Sequence, residues 1–372
     1  MAGGSGTRLW PASSSRLPKQ FLPASGKLSF FSLALERALL CAQRIIIIAG
    51  ESHIPHVIKD ASKLTAAQKK RLIIIGEPEA KNTAAAIACG VVYSSVTEKS
   101  GSSALSGNML VLTSDHIIKP LDIFKTDAAI AEEVCADKLV VFGITPEHPE
   151  TGYGYVEVDP KSEKNSVFTV AAFHEKPDFH TAKKYISKKN FFWNSGMFAF
   201  NISFMNEQFR IYAPDVIGPF EKLKEPKPED FSVSNGIKIL SVKSSGWKGL
   251  KAAYGKVKSI SFDYAIAEKC DKTAMIRANF DWVDIGNWEE YIKLEKGEID
   301  KNNSQVFSAD SETCYVDSDI PVALAGVDDL IVIIRSGKNG ESASALITKK
   351  GKTQKVRDVV EIIKNSERKD LL

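Results

Sequence analysis

The sequence predicts an α/β fold in which a mixed, mainly parallel β-sheet carries helices on both faces, followed by a small β-rich module. Short apolar runs of strand type alternate with helix-like segments, which is typical of a sheet covered on both faces. The strand-like runs are Ile45–Ala49, Leu72–Ile75, Met109–Leu112 and Leu139–Phe142. Past about residue 301 the apolar pieces become short and are separated by Asp, Ser and Gly, which predicts the β-rich module.

Each further element has a local justification. A helix is predicted over Leu28–Leu40, because its apolar residues recur three or four positions apart. An alanine-rich helix is predicted after Asn82 or Thr83, either of which can cap it. A last helix is predicted around Val356–Lys364, behind the β-rich pieces. Those pieces are Gln305–Phe307, Cys314–Val316, Val322–Leu324, Leu330–Ile334 and Ala345–Ile347.

Length and composition favour a globular protein of two domains. Single cores stop growing near ~250–300 residues, so the 372 residues are predicted to divide into a domain over 1–300 and a β-rich domain over 301–372. The net charge of +3 is close to balance, which argues against nucleic acid or a membrane as the principal partner. Five scattered cysteines without C-x-x-C spacing are typical of reduced thiols and not of a zinc site. With no visible signal peptide or bilayer-length apolar run, a cytoplasmic location is expected.

The glycine-rich opening MAGGSGTRLWP, residues 1–11, is the first functional motif. Its glycines allow successive backbone N–H groups to point at one anion. Arg8 adds a forked cation and Lys19 a point charge, so a polyphosphate is the natural ligand. Neither common nucleotide fingerprint fits, because Leu9 replaces the third glycine of G-x-G-x-x-G and no Walker loop is present. The alternative is a flexible N-terminus. The candidate nucleotide-binding residues of the loop are Gly3, Gly4, Ser5, Gly6 and Thr7.

The string GGSGTRLWP, followed by Lys19-Gln20-Phe21, resembles the signature of sugar-nucleotide pyrophosphorylases. Its Trp-Pro and Lys-Gln-Phe details are most similar to mannose-1-phosphate guanylyltransferases. The resemblance implies a Rossmann-like (GT-A-like) nucleotidyltransferase domain, whose loop holds the triphosphate of GTP, and a short β-helix-like second domain without an added isomerase domain. It also implies catalytic roles for Arg8, Lys19 and Lys176. Family members carry a short apolar strand before the loop, and that first strand is expected to be missing here.

Two acidic motifs supply candidate ligands for a divalent metal. Asp115 directly follows the strand Met109–Leu112, and open α/β sheets bind ligands at the carboxyl ends of their strands. Asp284 lies in DWVDIGNW, which resembles the family's D-x-G-N/T-W motif, and the resemblance implies that both aspartates bind Mg²⁺. The local alternatives are a turn aspartate at Asp115 and, at Asp284, a cap for a helix over Asn287–Leu294. His116 is expected to be a supporting residue, since no second histidine is spaced to join it.

Three motifs in the middle of the chain are candidates for a sugar site. TGYGY (151–155) places two glycines among aromatics, EKP (175–177) ends a strand-like run, and WNSG (193–196) precedes an apolar strand. The resemblance implies that Gly154, Glu175 and Asn194 contact sugar hydroxyls and that Lys176 reaches the sugar phosphate. Local alternatives are a strand-entry turn for the first motif and a surface ion pair for the second. Their combination in this order favours the sugar site.

Base selection is expected from Glu77, Asn82 and Thr83. A carboxylate can accept from the N1–H and N2–H₂ groups of guanine, and backbone groups near a helix start can read O6. The alternative, a proline turn followed by a capped helix, explains the same residues.

The reaction implied is transfer of GMP from GTP to mannose 1-phosphate, giving GDP-mannose and pyrophosphate with Mg²⁺ as the cofactor. A phosphate dianion needs no general base, so a chain without a Ser-His-Asp or Cys-His arrangement is compatible with this chemistry. Two alternatives stay open: transfer from dTTP or UTP to a glucose phosphate, and a catalytically impaired regulatory homologue. The expected assembly is a homodimer.

Overall fold

The computed structural model describes residues 1–4, 6–25, 28–98, 107–243, 246–294, 305–337 and 342–372. Its helices are α1 (Phe30–Cys41), α2 (Ile54–Ala61), α3 (Ala66–Lys69), α4 (Asn82–Glu98), α5 (Leu121–Val134), α6 (Phe179–Ser187), α7 (Ile202–Tyr212), α8 (Pro214–Glu221), α9 (Leu250–Tyr254), α10 (Trp288–Leu294) and α11 (Val356–Lys364). Short helical turns span Thr7–Leu9 and Lys19–Phe21, and a π-helix spans Asp263–Ala267. Among the described residues, no helix combines the length and apolar character needed to cross a membrane.

The strands are β1 (Pro23–Ser25), β2 (Leu28–Ser29), β3 (Ile45–Gly50), β4 (Leu72–Glu77), β5 (Asn108–Val111), β6 (His116–Lys119), β7 (Leu139–Ile144), β8 (Tyr155–Val158), β9 (Val167–His174), β10 (Phe191–Asn201), β11 (Ser232–Ser234), β12 (Ile237–Leu240), β13 (Thr273–Arg277), β14 (Asp281–Asp284), β15 (Val306–Ala309), β16 (Tyr315–Ser318), β17 (Val322–Ala325), β18 (Leu330–Arg335) and β19 (Ser344–Lys349). The α/β class and the β-rich C-terminal region are therefore confirmed. Strand β10 begins earlier than predicted, at Phe191, so the WNSG motif lies inside a strand.

The chain divides into two compact units that interleave along the sequence. The first unit comprises Met1–Gly3, Ala34–Ser114 and Ile118–Trp282. The second unit comprises Gly4–Leu33, Asp115–Ile117 and Val283–Leu372. The predicted domain boundary between residues 300 and 301 lies outside the described residues, and it stays a prediction.

A mixed six-stranded sheet lies at the centre of the first unit, in the order β5-β10-β7-β13-β9-β8. Strands β7 and β13 run parallel, whereas β10 runs antiparallel to both β5 and β7. The mixed character agrees with the sequence, but the antiparallel share is larger than the alternation of elements indicated. The reason is that β8 and β9 pair as neighbours in sequence and β10 inserts between two earlier strands in the opposite direction.

A four-stranded sheet in the first unit has the order β11-β12-β4-β3, with β3, β4 and β12 parallel. The first two residues of the chain form hydrogen bonds to backbone carbonyl groups of two different segments, one in β3 and one just after β5. The backbone N–H of Ala2 donates to Ile48 O in β3 at 2.8 Å, and the amino group of Met1 donates to Leu112 O, just after β5, at 2.8 Å. Met1 and Ala2 are not assigned to a strand, and β1 follows the glycine-rich loop.

Each unit has its own hydrophobic core. In the first unit the alanine-rich side of α4, including Ala84 and Ala88, packs with Phe209 and Phe220. In the second unit Leu9 and Trp10, which follow the glycine-rich loop, pack with Trp288 and with apolar residues of the β-rich strands. Burial of these side chains anchors the C-terminal end of the loop within its unit.

The β-rich strands of the second unit pair with a regular offset. β15 and β17 are parallel with Val306 opposite Val322, and β16 and β18 are parallel with Tyr315 opposite Ile331, so both pairs are offset by 16 residues. Parallel strands stacked at a constant sequence interval are the arrangement of a β-helix-like coil. β19 then pairs antiparallel with β18.

Candidate functional site

The glycine-rich loop is held at two points within the second unit. Gly4 and Gly6 have positive φ angles of 89° and 56°, which glycine adopts without the steric cost paid by other residues. The Ser13 hydroxyl donates to Gly6 O at 2.6 Å, and Gln20 Nε2 donates to Gly4 O at 3.3 Å. Both hydrogen bonds take up carbonyl groups of the loop, so its conformation is set by the chain itself.

Gly6 packs directly against Lys19. A Cβ built on Gly6 would lie 2.1 Å from the Cβ of Lys19, which is far inside van der Waals contact. Gly6→Ala is therefore expected to displace the loop or Lys19 and to lower the free energy of unfolding by about 2–3 kcal/mol. Urea unfolding measures this loss of stability.

Gly4→Ala is the matched control for this prediction. Gly4 also has a positive φ, but a Cβ there would meet nothing within 4 Å. Only backbone strain of about 1 kcal/mol is expected from that substitution. Equal losses in Gly4→Ala and Gly6→Ala would show that the approach of Gly6 to Lys19 has no separate role.

The end of the loop carries Arg8, which is exposed. Thr7 opens the turn Thr7–Leu9, whereas Ser5, a predicted nucleotide-binding residue, lies outside the described residues. Nη1 of Arg8 lies 3.3 Å from the position that a Cβ on Gly286 would take. The N–H of Gly286 in turn donates to the carboxylate of Glu290. Arg8 is thus placed beside the DWVDIGNW motif, within the same unit.

Lys19 joins the two aspartates that the sequence singled out. Its Nζ donates to Asp115 Oδ2 and to Asp284 Oδ1, each at 2.9 Å, and the residue is 6 % exposed. Burial works to lower the pKa of Lys19, but the two carboxylates outweigh it and hold the pKa above its ordinary value. Burial likewise opposes ionisation of Asp115, yet Lys19 and His116 hold the pKa of Asp115 well below its usual range. Lys19 and Asp115 are therefore both charged at neutral pH.

His116 belongs to the same cluster. Its Nε2 lies 3.7 Å from Asp115 Oδ1 and 3.9 Å from Asp284 Oδ1. Ligand atoms of Asp115, His116 and Asp284 all lie within 4.8 Å of one another, so the three could hold one divalent ion. Lys19 Nζ already shows that a cation fits between the two carboxylates. Sequence reasoning gave His116 only a supporting role, because adjacent residues of a chain do not reveal whether their side chains turn to the same point.

The capping alternative for Asp284 does not hold. The residue that caps α10 is Asn287, whose Oδ1 accepts from the N–H of Glu290 at 3.1 Å. The other part of that alternative, a core role for the tryptophans, is correct for Trp288, which is fully buried and donates its indole N–H to Trp10 O at 3.0 Å. Asp284 instead directs its carboxylate to Lys19.

Glu77, the predicted base-reading residue, lies in the first unit with its carboxylate largely buried. Its residue exposure is 8 %, Oε1 accepts from the Tyr254 hydroxyl at 3.2 Å, and Oε2 lies 3.2 Å from the position of a Cβ on Gly3. Burial raises the pKa of Glu77 to about 7, against the hydrogen bond from Tyr254, which lowers it. Gly3 and Glu77 are thus neighbours, and Glu77 changes charge near neutral pH.

Glu77→Gln is expected to make the protein more stable at high pH. Because the folded state raises the pKa of Glu77 from 4.5 to about 7, the stability that Glu77 contributes is complete below pH 4.5 and is lost as pH rises through about 7. The variant should exceed the wild type in unfolding free energy by about 1 kcal/mol at pH 5 and about 3 kcal/mol at pH 8. Urea unfolding at both pH values measures this difference, with exposed Glu79→Gln as the control that should show no such trend.

Asn82 and Thr83 lie at the start of α4. Asn82 is exposed, and its Oδ1 accepts from the N–H of Thr83 at 2.8 Å. The Thr83 hydroxyl oxygen accepts from the N–H of Phe262 at 2.8 Å. The start of the helix is therefore tied to the segment before the π-helix, and the Thr83 side chain has a structural partner besides any ligand.

The three sugar-side motifs meet in the first unit. The N–H of Asn194 donates to Gly154 O at 2.8 Å, and a Cβ on Gly154 would lie 2.6 Å from Glu175 Oε2. Lys176 has a positive φ of 47°, strained for a lysine, and its Nζ is paired with the carboxylate of Glu175. The three motifs are thus neighbours in the first unit, and a sugar-binding role for them stays a prediction.

Sequence reasoning missed a member of this cluster, Asp263. Asn194 Nδ2 donates to Asp263 Oδ1 at 2.9 Å. Burial, and then the charge of Glu175, raise the pKa of Asp263 to about 6, whereas Lys176 and Asn194 act to lower it. The signal that could have pointed to it is an aspartate inside the otherwise apolar and aromatic run FDYAIA, residues 262–267.

Comparisons with known proteins identify related sequences. A family profile described as nucleotidyl transferase matches residues 1–301. The chain is 32% identical over 376 residues to the mannose-1-phosphate guanylyltransferase of Salmonella muenchen, and this match covers 100% of the chain and 74% of that protein. It is 30% identical over 374 residues to the xanthan biosynthesis protein XanB of Xanthomonas campestris pv. campestris, covering 100% of the chain and 73% of that protein.

A solved structure is also similar over nearly the whole chain. It is described as mannose-1-phosphate geranyltransferase from Thermus thermophilus, with a TM-score of 0.76 and 26% identity, and the match covers 98% of each chain.

Proposed function

The chain belongs to the nucleotidyl transferase family, and from that premise we propose that it transfers GMP from GTP to α-D-mannose 1-phosphate, giving GDP-mannose and pyrophosphate, with Mg²⁺ as the cofactor. The observation that carries the proposal is the meeting of Asp115 and Asp284 on Lys19, which itself packs against Gly6 of the glycine-rich loop. The similarity to the Salmonella muenchen mannose-1-phosphate guanylyltransferase supports the choice of base and sugar.

The reaction sets clear demands on the protein. An oxygen of the sugar phosphate attacks the α-phosphorus of GTP, and the bond from that phosphorus to the oxygen bridging the α- and β-phosphates breaks, so that pyrophosphate leaves. The nucleophile is already an anion and no proton has to be removed from it. Because an anion attacks an anionic centre, the protein must supply alignment and positive charge.

The second unit would bind the triphosphate. Backbone N–H groups of Gly4 and Gly6 would point at its oxygens, and Arg8 would add a forked donor. Two of the three ammonium N–H groups of Lys19 donate to Asp115 and Asp284, which leaves one for a phosphate oxygen. Since these hydrogen bonds fix Lys19 before substrate arrives, little rotamer entropy is lost on binding.

Asp115 and Asp284 would hold Mg²⁺, with His116 within reach of the same position. Carboxylate oxygens are ligands that Mg²⁺ prefers, and the cation already seated between the two carboxylates is Lys19 Nζ, so the donor set suits a positive ion. When bound, Mg²⁺ neutralises charge on phosphate oxygens.

In the first unit, Gly154, Glu175 and Asn194 would bind sugar hydroxyls, and Lys176 would neutralise the sugar phosphate. The bare backbone at Gly154 and the paired Glu175 and Lys176 support these roles. Glu77, with Gly3 beside it, would accept from the guanine edge in its ionised form, and the exposed Asn82 would contribute with Thr83 at the start of α4.

The proposal extends to setting and assembly. Residues 1–300 would carry the chemistry and residues 301–372 the β-rich domain. All five cysteines are free, which supports a reducing compartment such as the cytoplasm. A homodimer is expected, and sedimentation velocity tests it.

Pyrophosphate release tests the function directly. We expect release with GTP and mannose 1-phosphate in the presence of Mg²⁺ that exceeds release with ATP, dTTP or UTP by at least about tenfold, and a preference for mannose 1-phosphate over glucose 1-phosphate. Equal rates with GTP and dTTP would overturn the base assignment. Silence with every pair, in a protein that still binds GTP, would identify a regulatory homologue instead.

A further inference from the structure

We propose that Asp263 is a positioning residue: it determines which polar atoms of Asn194 face a hydroxyl of the bound sugar, and it thereby contributes to selection among sugar 1-phosphates. The inference rests on the proposed function, in which Asn194 binds a sugar hydroxyl. It concerns the first unit alone, where Asp263 lies with Asn194 and Glu175.

Both ends of the Asn194 amide are engaged by groups of the protein. Nδ2 donates to Asp263 Oδ1 at 2.9 Å, and Oδ1 accepts from the N–H of Gly196 at 3.2 Å. A primary amide has two N–H donors and two lone pairs, so one donor and one acceptor position remain for a ligand. Because an ionised carboxylate only accepts, Asp263 excludes the flipped amide, in which Oδ1 would face it.

Asn194 and Asp263 both lie on irregular backbone. The pairing of β10 with β7 shifts register between Asn194 and Phe198, and Gly196 has a positive φ of 69°. Asp263 is the first residue of the π-helix Asp263–Ala267. Bulges redirect side chains, and π-helical turns occur frequently at functional sites.

The segment that carries Asp263 is anchored on both sides. The N–H of Phe262 donates to the Thr83 hydroxyl oxygen at 2.8 Å, and the Phe262 ring is fully buried. Ala265 N–H donates to Ser261 O at 3.0 Å, and Ala265 and Ile266 are buried. The position of the Asp263 carboxylate is therefore set by the core and does not depend on a ligand.

The ionisation of Asp263 depends on two charged neighbours, Glu175 and Lys176. Glu175, whose side chain is 5 % exposed, faces it as a second carboxylate, and Lys176 is the cation paired with Glu175. The pKa of Asp263, raised to about 6 by burial and by Glu175, places its loss of charge within a measurable range. A protonated Asp263 can donate, so it no longer dictates the orientation of the Asn194 amide.

The test compares Asp263→Asn with Glu268→Gln, an exposed carboxylate just beyond the same π-helix. Calorimetric titration with mannose 1-phosphate and with glucose 1-phosphate gives Kd, and steady-state kinetics give kcat and KM. For Asp263→Asn we expect Kd and KM for mannose 1-phosphate to rise about tenfold, discrimination against glucose 1-phosphate to fall, and the KM for GTP to stay within about twofold. Glu268→Gln should behave as the wild type.

The pH profile separates a positioning role from a structural one. The wild-type KM for mannose 1-phosphate should rise as pH falls through about 6, and Asp263→Asn should lack that component. The second ionisation of the sugar phosphate also occurs near pH 6. It affects both proteins equally, so the ratio of their KM values isolates Asp263.

Each outcome decides the inference. Equal Kd values and equal pH profiles in the wild type and Asp263→Asn would overturn it. A rise in the KM for GTP together with a lower urea midpoint would assign Asp263 a structural role and also overturn it. If the wild type binds mannose 1-phosphate in an Asp263-dependent way without transferring GMP, the proposed function fails and the inference stands. If it binds no sugar 1-phosphate, both fail.

Discussion

Lys19→Met is expected to lower kcat about 10³-fold and to destabilise the protein when metal is removed. The substitution takes away the ammonium group that bridges Asp115 and Asp284, which the proposed function also assigns to a phosphate oxygen. In EDTA the two carboxylates then lie side by side without that counter-charge, which should cost about 3 kcal/mol of unfolding free energy. Adding MgCl₂ should restore stability more in Lys19→Met than in the wild type, because a divalent ion can replace the ammonium between the carboxylates.

Lys293→Met is the matched control, since Lys293 is exposed on α10 in the same unit. Urea unfolding with EDTA and with MgCl₂, and pyrophosphate release with GTP and mannose 1-phosphate, give the readouts. If Lys19→Met unfolds at the same urea concentration as Lys293→Met in EDTA, the charge cluster makes no net contribution to stability. If it also keeps wild-type kcat, Lys19 is not part of the catalytic machinery.

Asp284→Asn is expected to lower kcat by about 10³-fold with little loss of fold. The amide keeps the shape of the carboxylate and an oxygen that can accept from Lys19, but it removes the negative charge that a divalent ion requires. Asp115 still pairs with Lys19 at 2.9 Å, and α10 keeps its cap at Asn287. The secondary structure and the urea midpoint should therefore stay close to wild type, and the Mg²⁺ concentration needed for half-maximal rate should rise.

Asp281→Asn provides the control, because Asp281 is an exposed residue on the same strand, β14, and the substitution changes the charge equally. Circular dichroism and rate measurements over a range of MgCl₂ concentrations distinguish the two variants. Full activity of Asp284→Asn would show that the metal assignment is wrong.

Much of the fold could be predicted because local patterns decide it. The run Ile45–Ala49 becomes β3, the helix after Asn82 becomes α4, and the prediction around Val356–Lys364 coincides with α11. In each case the spacing of apolar residues and a nearby capping or turn residue favour one backbone conformation. The larger antiparallel share of the sheet could not be predicted, because it depends on where β10 inserts among strands that are distant in sequence.

In the candidate site, too, some residues could be predicted from local motifs, whereas others depend on the packing of segments that are distant in sequence. Arg8 and Lys19 could be singled out because they follow the glycine-rich opening, Asp115 because it directly follows a strand, and Asp284 because it lies in the acidic and aromatic motif DWVDIGNW. Asp263 could not, since its neighbours Asn194, in β10, and Glu175, just after β9, are distant from it in the sequence. The sequence leaves a capping role open as the alternative for Asp284 for a related reason, since both Asp284 and Asn287 precede the helix and only the hydrogen bond distinguishes them.

By itself the sequence determined the elements, the glycine-rich loop and the order of the motifs, because these follow from short-range sterics and from the periodicity of apolar side chains. Only the tertiary structure decided which polar groups meet: that Lys19 lies between two aspartates, that Glu77 is buried beside Tyr254, and that Asn194 donates to Asp263. The physical reason is that Coulomb energies and desolvation depend on distances of a few ångströms and on burial, which packing of distant segments sets.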